Sequence, residues 1–242
     1  MRDHDSFEQF THDYWSYYRE LEDDFLATRK YVSFDPDNYS TYSIEYLKLF
    51  QAACSEIDVL GKSMAYAVNH SLRPNGKNIN ILKWWFEIQD SYFVSSKQDI
   101  TYMGKQPTDR LSEAACLFLG TTKIKPWDSF RVEKYTAKDH STRVRAVNDS
   151  MPLWWLSYNK VKHSRISLIT QKNEKPNYSK ANLGNVIYAL SALYILEKAY
   201  MEAIGTQDDI ESFFDQSKLF VKRAFVTSKD IDSLFMQSRS FD

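Results

Sequence analysis

The residues with the clearest capacity for chemistry lie in one short segment, WWLSYNKVKHSR, at residues 154–165. Asn159 and His163 are four positions apart, so on a helix they share one face and lie one turn apart. A histidine titrates near neutral pH and can move a proton in either direction, while an asparagine can orient it or hold a phosphate oxygen. Lys160 and Lys162 flank the pair and would stabilise charge on a phosphoryl group. The spacing suits a phosphodiester site, but it also suits a structural histidine hydrogen-bonded to Asn159 among solvated lysines.

Motifs for other chemistries are incomplete in this sequence. The segment Leu60–Ser63 resembles the end of a phosphate-binding loop, but Glu56 occupies the position of the required first glycine. The metal-binding patterns H-E-x-x-H, E-x-x-H and C-x-x-C do not occur. We therefore predict neither a metal site nor a cofactor. Cys54 and Cys116 are expected to be buried free thiols.

The composition favours a helical, cytoplasmic protein. Hydrophobic residues make up 43% and charged residues 26% of the 242 residues, which excludes wholesale disorder. Glycine and proline number only six each, too few for a sandwich or barrel of many short strands. The sequence shows no secretory signal and no apolar run long enough for a membrane span, so we expect a cytoplasmic location and no membrane partner.

The net charge of −1 conceals two oppositely charged segments. Residues 1–37 carry a net charge of −6, and residues 121–175 carry +7. A basic segment attracts phosphates, as in a nucleic acid, but it can also pair with the acidic segment of the same chain.

Apolar side chains at steps of three and four predict five helices. We expect Ser43, Ser150 and Ser179 to cap the second, fourth and fifth of them. The predicted helices span residues 5–31, 43–69, 79–93, 151–165 and 180–204.

These helices predict a single helical domain over residues 1–242, with a bundle core from 43–93 and 151–204. Residues 94–150 read as an irregular insertion whose apolar content is thin, with a short helix near 109–118 and a hairpin near 117–135. Residues 206–242 form a C-terminal tail.

The segment YNKVKHSR resembles the signature of HEPN-domain proteins, which is an arginine, a polar residue, three further residues and a histidine. Asn159 matches the polar position, and His163 matches the histidine. The segment from Ala181 to Tyr200 resembles the final helix of that superfamily. The combination of ACSEIDVLGK, IKPW and WWLSYNKVKHSR is also similar to a group of bacterial proteins.

The resemblance implies an all-α, HEPN-like bundle of four to five long helices. Many HEPN proteins are metal-independent ribonucleases of toxin–antitoxin, phage-defence and CRISPR systems, and others are non-catalytic RNA- or protein-binding modules. In active members two protomers bring both motifs to one cleft, where the histidine transfers protons and the arginine holds the scissile phosphate. This chain departs from the motif at Tyr158, which stands at the arginine position. A neutral phenol cannot make a bidentate phosphate clamp.

Two functions stay open on these grounds. One is an endoribonuclease of a toxin or phage-defence system; the other is a non-catalytic dimerisation, RNA-binding or protein-binding module. The partners implied are RNA, a second copy of the chain and a cognate antitoxin.

Glu56 and Asp58 are carboxylates that could approach His163 across the bundle. An enzyme requires an accessible His163, whereas a structural module is expected to bury it in a hydrogen-bonded seam. The catalytic candidates are His163, Asn159 and Tyr158, and the substrate-binding candidates are Lys160, Lys162 and Arg165.

Overall fold

The computed structural model of the protein describes residues 7–76, 79–91, 114–116, 123–128, 130–164, 175–213 and 216–221. The described part is mostly helical, as the sequence predicts. A π-helical turn, Thr11–Trp15, joins the first two helices. The helices are α1 (Phe7–Phe10), α2 (Ser16–Ala27), α3 (Ile44–Val68), α4 (Ile81–Ser91), α5 (Leu153–His163), α6 (Leu183–Ile204) and α7 (Gln207–Ser212).

Five short strands within the described residues make the expectation of an all-α fold too strict. They form two antiparallel sheets, one of three strands in the order β2-β1-β5 and one hairpin of β3 and β4. In the hairpin Val132 pairs with Ala146, and Thr136 pairs with Thr142. The strands are β1 (Ala114–Cys116), β2 (Lys123–Ile124), β3 (Val132–Thr136), β4 (Thr142–Ala146) and β5 (Phe220–Val221).

Two predictions within residues 94–150 are wrong in the described part. Residues 114–116, expected to be helical, are the central strand of the three-stranded sheet. The hairpin predicted near 117–135 is misplaced, because β2 at 123–124 pairs with the preceding strand β1, and β3 pairs with β4 in a hairpin at 132–146. These strands are only two to five residues long, so the sequence shows too few alternations of polar and apolar residues to place them.

The core is built around α3 and α6, which pack along each other and against α2. Most of α6 is buried, which is typical of a helix surrounded by neighbours on all sides. The N-terminal helices also contribute fully buried aromatic rings, so the core extends beyond the segments 43–93 and 151–204 that the sequence predicts. These rings belong to Phe10, Tyr18 and Phe25.

A cluster of tryptophans fixes α5 against the rest of the molecule. Trp127 lies between β2 and β3 and stacks on Trp85 of α4, with ring centroids 4.5 Å apart. It also meets Trp154 of α5 edge to face at 5.2 Å. The Trp154 Nε1 donates to the Pro126 carbonyl at 2.8 Å, and the Trp127 Nε1 donates to the Ala192 carbonyl at 3.3 Å. The predicted insertion therefore supplies core residues that hold α5 in place.

The predicted helix caps are confirmed at one helix and wrong at two. The Ser43 hydroxyl accepts from the Tyr46 N–H and caps α3. Ser150 does not cap α5, because its hydroxyl bonds to the backbone N–H and carbonyl of Arg131, each at 3.1 Å. Asn182 rather than Ser179 caps α6. Ser150 is the C-cap of one short 3-10 turn that precedes a helix and Ser179 lies within another, and tertiary contacts decide where such turns end.

Replacing Ser43 by alanine is expected to lower the free energy of unfolding by about 1 kcal/mol, because the Tyr46 N–H loses its acceptor. Urea denaturation measures this change. The control is Ser55→Ala on the exposed side of the same helix, where no loss is expected. Equal stability of the Ser43 variant and the parent would contradict the capping role.

The buried carboxylate of Glu22, on α2, holds a segment close to the other end of the described chain. The bonds connect α2 to residues 216–221, the segment that contains β5. Four donors surround the carboxylate: the Tyr18 hydroxyl at 3.0 Å, the Leu219 N–H at 2.9 Å, the Ser217 hydroxyl and the Arg19 guanidinium.

Glu197, on α6, is a second buried carboxyl with the opposite surroundings. It is fully buried, and neither carboxylate oxygen has a hydrogen-bond partner in the part of the chain that the structure describes. Burial raises its pKa well above the usual value, and the charge of Glu56 on α3 raises it further. Glu56 is half-buried, and burial raises the pKa of that carboxyl too.

Candidate functional site

Helix α5 presents two different faces. Trp154, Trp155, Tyr158 and Val161 are buried on one side of it. Pro152 is the N-cap residue of α5, and as a proline it has no N–H that would need an acceptor. Tryptophan contacts with α4, the β2–β3 segment and α6 thus determine which side of α5 meets solvent.

The opposite face of α5 is exposed and carries His163. Leu153 is 80% exposed and Leu156 is 40% exposed. Lys160 and His163 continue this stripe at steps of four and three, and both are exposed. Asn159 is half-buried at the edge of the stripe, one turn before His163.

His163 is therefore accessible and does not belong to a buried seam. Its side chain is exposed, unlike those of Trp154 and Trp155 on the opposite face. The structure records no hydrogen bond between the described side chains of Asn159 and His163. The sequence predicts that Asn159 orients the imidazole or holds a phosphate oxygen; no direct bond between these described side chains supports the first role, and the second stays a prediction.

Tyr158 lies in the core, away from this surface. Its ring meets Phe50 of α3 edge to face at 6.1 Å and lies 5.1 Å from the Trp155 ring. Burial raises the pKa of Tyr158 to about 12, and the acidic groups of Cys54 and Asp58 contribute to that rise. Five residues turn the helix by about 140° relative to His163. The side chain at the family's arginine position is thus a neutral phenol that faces inwards.

Lys162 is exposed near the C-terminal end of α5, on the side of the helix that Tyr158 occupies. Its Nζ lies 5.4 Å from the centre of the Tyr158 ring. Its charge acts against the burial that raises the pKa of Cys54, a free thiol on α3. The charge of the exposed Lys162 therefore acts on buried groups of α3 and α5, whereas Lys160 belongs to the exposed stripe that contains His163.

The two carboxylates expected near His163 have other recorded partners. Asp58 accepts from the Trp84 Nε1 at 3.1 Å and pairs with Lys62 at 2.5 Å. Its charge reaches Tyr158 on the inner side of α5. Glu56 faces α6, where its charge acts on Glu197. Among the described residues the structure records no hydrogen bond or ion pair from either carboxylate to His163; their recorded partners lie on α3, on α4, on α6 and on the inner side of α5.

An aromatic pair that the sequence analysis did not identify adjoins the end of α5. The Asn177 side-chain amide donates to the Ser164 carbonyl at 2.6 Å, which attaches the short 3-10 helix Asn177–Lys180 to α5. Within that turn, Tyr178 meets Tyr42 edge to face at 5.4 Å. The Lys175 Nζ lies 5.9 Å from the centre of the Tyr42 ring. Both tyrosines come from irregular segments, so no periodic pattern marks them.

The remaining predictions about the site concern Arg165 and bound ions. Arg165 lies outside the described residues. Within the described residues, no group of three or more His, Cys, Asp or Glu side chains could hold a metal ion. No helix among the described segments has both the length and the apolar character needed to cross a membrane.

In comparisons with known proteins, no family model, curated protein or solved structure matches this chain.

Proposed function

We propose that the chain is a HEPN-like helical protein that binds RNA through the exposed face of α5. The observation that carries this proposal is the placement of His163 and Lys160 on one accessible stripe, with Asn159 at its edge. Lysine ammonium groups attract phosphates, and an imidazole and an amide can donate to phosphate oxygens. The exposed Lys162 and Lys175 add positive charge near the same end of the helix.

Binding is favoured over cleavage because of Tyr158. A guanidinium at this position would bind a phosphate through two parallel hydrogen bonds, and the buried phenol cannot replace it. Loss of a preorganised donor of this kind typically lowers a rate by about 10²–10³-fold. A non-catalytic RNA-binding module agrees with the geometry of α5 better than an efficient nuclease does.

Metal-independent RNA cleavage is the second candidate, and the accessibility of His163 favours it. The hypothesis is attack by a ribose 2′-hydroxyl on the adjacent phosphate, with His163 transferring protons and Lys160 stabilising charge. The exposed Leu153 and Leu156 on the same stripe favour pairing with a second copy of the chain. Such pairing would bring two His163 side chains towards one cleft. The nuclease would then act as a toxin or in phage defence, and a cognate antitoxin would inhibit it.

Binding of a fluorescein-labelled single-stranded RNA, measured by fluorescence anisotropy over a range of salt concentrations, tests the main proposal. Lys160→Ala is expected to weaken binding several-fold and to reduce the slope of log K against log salt by about 1. Lys48→Ala is the matched control, since Lys48 is exposed on α3 and pairs with Glu45. An absence of binding by the parent protein, or equal losses in both variants, would refute the proposal.

RNA cleavage in the presence of EDTA separates the two candidates. The parent protein and His163→Ala are compared for cleavage of the same RNA and for toxicity when expressed in cells. Cleavage by the parent that is lost in His163→Ala would establish the nuclease. Equal behaviour of the two proteins would exclude the nuclease, and the non-catalytic binding module would be the remaining candidate.

A further inference from the structure

We propose that Tyr42, Tyr178 and Lys175 form a subsite that stacks an unpaired base of single-stranded RNA beside the His163 stripe. This inference rests on the proposed RNA-binding function and assigns a substrate class to it. The two tyrosine rings lie 5.4 Å apart at 73°, and they are 37% and 40% exposed. Partly exposed aromatic rings next to a cation are the kind of side chains on which nucleobases stack in single-strand-binding proteins.

The backbone around both tyrosines is held firmly. Tyr42 forms a β-bridge with Asn182, and the Leu183 N–H donates to the Thr41 carbonyl at 2.8 Å. The Asn185 amide donates to the Lys180 carbonyl at 2.6 Å, which closes the turn that contains Tyr178. The rings are therefore presented from an ordered frame, and binding a base would require little further ordering of the backbone.

The position of the pair relative to α5 connects it to the proposed phosphate-binding stripe. The bond from Asn177 to the Ser164 carbonyl places the turn directly after His163 in space. Lys175 stands over the Tyr42 ring, where its ammonium group can meet a backbone phosphate while the base contacts a ring. The charge and the apolar surface thus match the two parts of a nucleotide. Duplex RNA offers no free base to these rings, because its bases are already stacked on one another. The subsite is therefore expected to favour single-stranded RNA.

Anisotropy titrations with three RNAs test the subsite: a mixed-sequence single strand, the same strand with abasic sites, and its duplex. Tyr178→Ala is expected to raise the Kd for the single strand by about 5- to 100-fold, the usual range for one stacked base. Tyr178→Phe keeps the ring and is expected to bind like the parent. Tyr31→Ala is the control, because Tyr31 is 87% exposed and lies outside the pair. Binding of the abasic strand is expected to be insensitive to Tyr178→Ala.

The outcomes separate this subsite from the proposed function. If Lys160→Ala weakens binding but Tyr178→Ala does not, RNA binding stands and the stacking subsite is wrong. If the abasic strand binds the parent as tightly as the intact strand, the subsite is also wrong, and this measurement needs no variant. If the parent binds none of the three RNAs, both proposals fail. Thermal melts followed by circular dichroism verify that each variant is folded.

Discussion

Replacing Glu22 by alanine is expected to destabilise the protein by about 3–5 kcal/mol. The carboxylate is fully buried and accepts hydrogen bonds from α2 and from the segment 216–221. Without it, the Tyr18 hydroxyl, the Leu219 N–H and the Arg19 guanidinium each lose a hydrogen bond to a buried charged acceptor. Hydrogen bonds to charged groups contribute more to stability than neutral ones, about 1.5–3 kcal/mol each. Chemical denaturation followed by tryptophan fluorescence measures the difference.

The neighbouring residue provides a matched control. Asp23 also joins α2 to the C-terminal segment, through a 2.5 Å ion pair with Lys218, but both side chains are half-exposed. Asp23→Ala is therefore expected to change stability by less than about 1 kcal/mol. Glu22→Gln keeps one acceptor oxygen without the charge and should lie between the parent and Glu22→Ala. Similar losses for Glu22→Ala and Asp23→Ala would contradict the importance assigned to burial.

Replacing Glu197 by leucine is expected to increase the stability of the protein by about 1–3 kcal/mol at pH 7. Its carboxyl is buried without a hydrogen-bond partner in the described part of the chain, and it lies close to Glu56. An apolar side chain of comparable size removes the desolvation penalty and keeps the packing between α3 and α6. A destabilised Leu variant would contradict this account.

The parent protein is also expected to lose stability as pH rises above the ordinary glutamate pKa of about 4.3. In this range the unfolded chain releases the Glu197 proton, whereas the folded chain retains it because burial raises the pKa. The folded state then binds more protons, so the free energy of unfolding falls with pH by at most about 1.4 kcal/mol per unit for this group. The fall continues until the pH passes the raised pKa.

Glu197→Gln isolates this effect, because glutamine does not titrate. Denaturation of the parent and of this variant at several pH values should show a smaller decline in the variant. Glu20→Gln removes an exposed carboxylate of α2 and is expected to preserve the decline of the parent. If the Glu197→Gln and parent curves run parallel, Glu197 does not titrate as proposed.

The sequence predicts the helices well because their apolar periodicity is strong. The segment around α3 shows this most clearly, since both its Ser43 cap and its buried stripe agree with the structure. Glu197 lies among the buried residues of α6, yet the periodicity of apolar residues cannot reveal that no donor in the described part of the chain reaches its carboxyl. Which hydrogen-bond donor reaches which acceptor depends on how separate helices pack against each other.

The candidate site is less predictable for a related reason. The spacing of Asn159 and His163 identifies a shared face, and the structure places His163 on the exposed stripe of α5 and the half-buried Asn159 at the edge of that stripe. The inward orientation of Tyr158 goes with its position beside Trp154 and Val161 on the buried face of α5. Tyr42 and Tyr178 are about 140 residues apart and lie in irregular segments, so only the folded chain brings their rings together.

The pairing of β1 with β5 has a consequence for the order in which the molecule assembles. It joins Ala115 to Val221, so a long stretch of chain must be closed before this strand can dock. Contacts between distant residues form late, because the entropy lost on closure precedes the gain from pairing. Substitutions that loosen this strand should therefore accelerate unfolding and leave the refolding rate nearly unchanged. The lifetime of the native state, more than the speed of its formation, depends on this contact.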